Sequence, residues 1–94
     1  MKVNFNTLML SYRGEPMKDE KNEAVYAKTV ICDVLSAINQ APVDEKMEMA
    51  KLVAAIWQSV GEIEVSPKQV ELIRKYCKGL PVNLFAQIYK LLEQ

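Results

Sequence analysis

The stretch GEIEVSPKQVELI, residues 61–73, decides how the chain is put together, because it reads either as a metal-binding loop between two helices or as a plain connection. A calcium loop takes oxygen ligands at its first, third and fifth positions, Gly at the sixth, an apolar residue at the eighth and Glu at the twelfth. With Gly61 as the sixth position and Ile63 as the eighth, the first three ligand positions fall on Ile56, Gln58 and Val60. Pro67 falls where the bidentate glutamate belongs. The outline of a calcium loop is there without its ligands. What remains is a start signal: Ser66 as cap, Pro67 at the first helical position, where its missing N–H costs nothing, and Gln69 completing a capping box. The stretch therefore reads as helix end at Gly61, a short extended segment EIEV over 62–65, and a new helix from residue 67.

Working outward, the helix over 67–78 turns Val70, Ile73, Tyr76 and Cys77 to one side and stops at Gly79. Pro81 opens a last helix over 82–93, with Leu84, Phe85, Ile88, Leu91 and Leu92 on its apolar face. Upstream, a helix over 43–60 begins with Asp44 and Glu45 at the positive end of its dipole. Its apolar arc is wide. Met49, Ala50, Val53, Ile56, Trp57 and Val60 form the centre and Met47, Leu52 and Ala54 the edges, which predicts a helix at the middle of the core with Trp57 buried. Residues 24–40 predict another amphipathic helix, with Ala27, Val30, Ile31, Val34, Leu35 and Ile38 inward and Cys32 on the polar side, partly exposed. Ala41-Pro42 ends it.

Residues 3–10 alternate as a strand, Arg13-Gly14-Glu15-Pro16 reads as a turn, and the charges from Lys18 to Glu23 read as a solvated connector. Residues 62–65 are the expected partner of the N-terminal strand, with 15–18 as the rival. The fold class is mainly α with a minor β part: a four-helix compact domain with a short N-terminal β element. One domain spans 1–94, with the strand, turn and connector over 1–23 and four helices over 24–93.

The 94 residues are half apolar and 26% charged, which suits one small globular domain. Lys plus Arg equals Asp plus Glu at 12 each, so no large positive field draws the chain to nucleic acid or a membrane surface. No apolar run approaches the roughly 20 residues of a membrane span, and the chain is expected to be soluble and cytoplasmic, with Cys32 and Cys77 reduced. The absence of histidine removes Ser–His and Cys–His nucleophile pairs and histidine zinc sites together. Two distant cysteines are poor zinc ligands, and three glycines leave no room for a phosphate-binding glycine loop. Glu62 with Glu64, and Asp44 with Glu45 and Glu48, are carboxylate groups with no sign of the pocket that acid–base chemistry requires. Neither catalytic residues, a metal nor a cofactor is expected, and the chain is read as a non-enzyme.

Two kinds of contact stay open. Tyr12, Met17, Tyr26, Leu52 and Tyr89 lie at the margins of apolar faces or in the connector, and together suit a surface for an unknown protein partner or for self-association. Lys68, Arg74, Lys75 and Lys78 make the helix over 67–78 locally basic, which suits the alternative of a nucleic-acid-binding regulator. A plain account of those bases also exists: they stand near the negative helix end, and Glu71 with Lys75 forms an i,i+4 pair.

The succession of an N-terminal strand, a GEP turn, a charged stretch, two helices, IEVSPKQVELI and a closing helix after LP resembles small uncharacterised proteins of bacteriophages and prophages. The positions that look shared are Phe5, Gly14, Pro16, Ile63 and Ile73, all of structural character. The resemblance implies an accessory protein without enzymatic activity and transfers no functional residue.

Overall fold

The structure, a computed structural model, describes residues 1–93. Gln94, the last residue of the predicted domain, lies outside them. The element order is β1 (Lys2–Asn4), α1 (Ala27–Ser36), α2 (Val43–Gln58), β2 (Glu62–Glu64), α3 (Pro67–Cys77) and α4 (Val82–Leu91). The four helices and the small β element are as the sequence predicts, and β2 is the strand that pairs with β1. The pairing is antiparallel, with Lys2 opposite Glu64, Val3 opposite Ile63 and Asn4 opposite Glu62. Val3 faces the core while Lys2, Asn4, Glu62 and Glu64 face water, which is the alternation of a half-buried sheet.

The predicted 3–10 strand is shorter, and the rest of its length does something else. Past β1 the chain joins two further extended segments through a closed ring of three backbone hydrogen bonds. Met9 N–H donates to Val25 C=O at 2.9 Å, Val25 N–H to Met17 C=O at 3.0 Å, and Met17 N–H to Met9 C=O at 2.9 Å. Two three-residue turns connect the segments. One ends on Gly14 at φ 81° and the other on Asn22 at φ 62°, the left-handed position that closes such hairpin loops. The stretch from Lys18 to Glu23 is thus a hairpin and not a loose connector. Asp19 holds it by accepting from the N–H groups of Lys21 and Glu23 at 2.8 and 3.0 Å.

This ring also sets the start of α1, three residues later than predicted. Tyr26, the residue before the helix, offers no side-chain cap. The first helical N–H groups are satisfied from a distance, Ala27 donating to Thr7 C=O and Lys28 to Phe5 C=O, both at 2.9 Å. In contrast α3 carries its own start. Ser66 Oγ accepts from Gln69 N–H at 3.1 Å and Gln69 Oε1 accepts from Ser66 N–H at 2.9 Å, the capping box the sequence predicts. Ser66→Ala is expected to lose about 1 kcal/mol, seen as a lower urea midpoint at unchanged slope. No change in midpoint would mean that α3 starts without its cap.

The helix ends differ from expectation. α2 stops at Gln58 because Ser59 turns extended and its hydroxyl donates to Ile56 C=O at 2.6 Å, so Ser59 and not Gly61 ends it. α3 stops at Cys77 with Lys78 still right-handed, and Gly79 takes no left-handed geometry.

The core is formed by Val3, Phe5 and Met9 from the β part, Ile31 and Leu35 of α1, Met49, Leu52 and Ile56 of α2, Val65 just after β2, Val70, Leu72, Ile73 and Cys77 of α3, and Ile88 and Leu92 at the end. α1 packs on α2 and α3, α2 on α3, and α4 on α3. Three placements are reversed relative to the sequence reading. Cys32 is buried, its thiol 3.7 Å from Val53 C=O, because α1 lies between α2 and α3 and is covered on more than one side. Trp57 and Val60, predicted at the core, are 56% and 96% exposed. α2 is not the central helix: it presents one apolar side inward and leaves the other uncovered.

Candidate protein-contact surface

The residues predicted to form a contact surface are not brought together. Leu52 is 1% exposed and belongs to the core, a correction to its placement at a protein-facing edge. Tyr89 ties α4 to α3: its hydroxyl donates to Arg74 C=O at 2.7 Å and its ring stacks on Phe85 at 4.2 Å between centroids. Met17 is half-buried against the core through the backbone ring. Tyr12, at a hairpin tip, and Tyr26, beside α1, remain exposed.

The exposed apolar surface that does form lies along α2. Val43, Met47, Ala50, Ala54 and Trp57 recur at spacings of four, three, four and three, so they line one side of the helix. All five are exposed, Val43 at 77% and Met47 at 59%. Because Met49, Leu52 and Ile56 occupy the inward side, α2 has two apolar stripes and the domain covers one. A groove of about 410 Å³ runs beside the uncovered stripe between α1 and α2, lined by Leu35, Ile38, Lys46, Met49, Ala50 and Val53. At the far end Lys28 of α1 sets its ammonium 5.2 Å from the Trp57 ring centre, a cation–π contact that orients the indole without covering it. The exposed stripe was hidden from sequence reasoning by the width of the arc. The four-three spacing of Val43, Met47, Ala50, Ala54 and Trp57 was the feature that marked it.

The four basic residues do share one side of α3, around a groove of about 550 Å³ with Tyr89 at its edge. Two of them are engaged within the domain. Lys75 Nζ stands 3.1 Å from Glu45 Oε1 of α2, and the same carboxylate accepts the Tyr76 hydroxyl. Arg74 lies over Tyr89, donates to Leu92 C=O at 3.2 Å and approaches Glu71 at 3.6 Å. Lys68 and Lys78 are exposed.

The hydrogen bond from Tyr76, then that from Lys75, holds Glu45 below the ordinary glutamate value. The same carboxylate raises Tyr76 and Lys75 above theirs. A lowered carboxyl stabilises the fold above the unfolded glutamate value, and that stability is lost as pH falls through the folded one. A raised tyrosine or lysine stabilises below its unfolded value and loses that contribution as pH rises through the folded one. The clamp between α2 and α3 is therefore complete from about pH 5 to about pH 10 and weakens on both sides. Glu45→Gln is expected to flatten both flanks of the stability–pH curve, and a variant curve parallel to the wild type would contradict the clamp.

The thiols show no activation. Burial, with Asp33 adding to it, raises Cys32, and burial pushes Cys77 up to about 11, so both are held as thiols. Among the described residues no three Cys, Asp or Glu side chains gather as a metal site, and no helix is long and apolar enough to cross a membrane. Glu62 and Glu64 stand exposed on the outer face of β2. Comparison with known protein families, characterised proteins and solved structures finds no match to this chain.

Proposed function

We propose that the chain is a non-enzymatic protein-binding or self-associating domain, and that the outer side of α2 is its contact surface. One observation carries this: a four-three stripe of exposed apolar residues ending in a half-exposed tryptophan, on a helix whose other apolar side is already buried. Exposed apolar patches of this kind mark contact sites, and Trp and Met are enriched where proteins meet. The likeness to small phage and prophage proteins accords with an accessory role. Light scattering across protein concentration tests the reading. Met47→Glu with Trp57→Lys is expected to abolish association and to leave the melting temperature within a few degrees of wild type. Association that survives both substitutions would refute the stripe as the surface.

The second reading, nucleic-acid contact through Lys68, Arg74, Lys75 and Lys78, has the clustering of the four around one groove in its favour. The engagement of Lys75 by Glu45 and of Arg74 by Glu71 weighs against it, since it lowers the field available to phosphates. A gel shift that weakens steeply with salt would favour it.

A further inference from the structure

We infer that the occupant of the α2 stripe is a second copy of this chain, laid antiparallel on the first; the inference rests on the reading of the stripe as a contact surface. The order of sizes along the stripe points to it. Val43 and Met47 fill one end, and Ala50 and Ala54 follow. When two such helices run in opposite directions about a two-fold axis between Met47 and Ala50, each of the four layers from Val43 to Ala54 joins a larger side chain to an alanine. Met47 lies over Ala50 of the second copy, Val43 over Ala54 of the second copy, and the symmetry repeats both. A two-fold contact must be complementary to itself, and the run from Val43 to Ala54, two larger side chains followed by two alanines, meets that condition only when the helices are antiparallel. A parallel pair would set Met47 on Met47 and leave Ala50 facing Ala50, with a gap between unequal layers.

Charge selects the same alignment. Asp44 and Lys51 flank the stripe on one side, Lys46 and Val53 on the other. Asp44 and Lys51 are exposed and make no ion pair among the described residues. With the chains reversed, a flank meets the same flank of its mate, so Asp44 meets Lys51 of the second copy, twice. On the other flank the Lys46 stem lies along Val53 of the second copy. Sliding the helices by one heptad, so that Met47 meets Trp57, would bring Lys51 against Lys51 instead. Parallel helices would bring Lys46 toward Lys51. In the antiparallel alignment Trp57 reaches past the first turn of its mate to Pro42, which is exposed in the free chain, while Lys28 keeps the other side of the indole.

The contact is confined to one side of a 16-residue helix, so the dimer is expected to be weak and reversible. Exchange of charges tests it. Asp44→Lys alone and Lys51→Glu alone each turn two attractive pairs into two repulsive ones, and each is expected to weaken self-association by about tenfold or more. Mixed in equal amounts, the two variants restore both pairs and are expected to form a one-to-one heterodimer as tight as the wild type, while each variant alone stays folded, Asp44→Lys melting a few degrees lower for the charge it loses at the start of α2. A mixture no tighter than its components overturns the antiparallel alignment. A wild-type chain that stays monomeric at millimolar concentration overturns the second copy and assigns the stripe to a different chain. Association indifferent to Met47→Glu with Trp57→Lys overturns the underlying contact-surface reading instead, so the two failures are distinguishable.

Discussion

Truncating Phe5 to alanine is expected to destabilise the domain by about 3–5 kcal/mol. Phe5 is fully buried where the chain passes from β1 to the backbone ring, and its carbonyl accepts the Lys28 N–H at the head of α1. The phenyl side chain fills the core where the β part meets the head of α1, and no neighbouring aromatic side chain is buried with it. A domain of this size has on the order of 5–15 kcal/mol in all, so the variant keeps little reserve. Urea denaturation should show a much lower midpoint at unchanged slope. A loss below about 1 kcal/mol would mean that the segment after β1 is not seated in the core.

The second large effect separates the two sides of α2. Leu52→Ala is expected to lose about 2–5 kcal/mol, because Leu52 packs inward beside Met49 and Ile56. Trp57→Ala, one and a half turns further along, removes a larger side chain but one that is 56% exposed. Its stability change is expected to stay within about 1 kcal/mol, chiefly the loss of the Lys28 contact. Equal losses at the two positions would contradict the orientation of the helix. The pair of variants also distinguishes fold from contact, since Trp57→Ala should weaken association while the melting temperature holds.

How much of this was legible depends on where each hydrogen bond goes. α3 was readable to the residue at its start, because Ser66 and Gln69 satisfy the helix from within four positions of sequence. The start of α1 was not, because its first N–H groups go to Phe5 and Thr7, some twenty residues away. The hairpin over Lys18–Glu23 was missed because its charges suit a solvated loop equally well. The spacing of Asp19 and Asn22, a turn former followed by a residue tolerant of left-handed geometry, was the available mark. The tie between the β ring and α4, where Gln87 pairs with both the N–H and the C=O of Leu10 at 2.8 Å, has no local mark at all.

The contact surface shows the division most clearly. By itself the sequence determined that α2 is a helix with an apolar arc too wide for one face, since that follows from a period of 3.6 residues along one segment; it drew the arc as a single surface, with Trp57 at its centre and Leu52 at its edge. It also determined the capped start of α3 and the lack of any histidine chemistry. Only the tertiary structure decided that Leu52 faces inward and Trp57 outward. One apolar side of a helix is as able as another to leave water, so the choice falls to what else is there to cover it: α1 and α3 converge on Met49, Leu52 and Ile56, and the described chain supplies nothing to close over Val43, Met47 and Trp57.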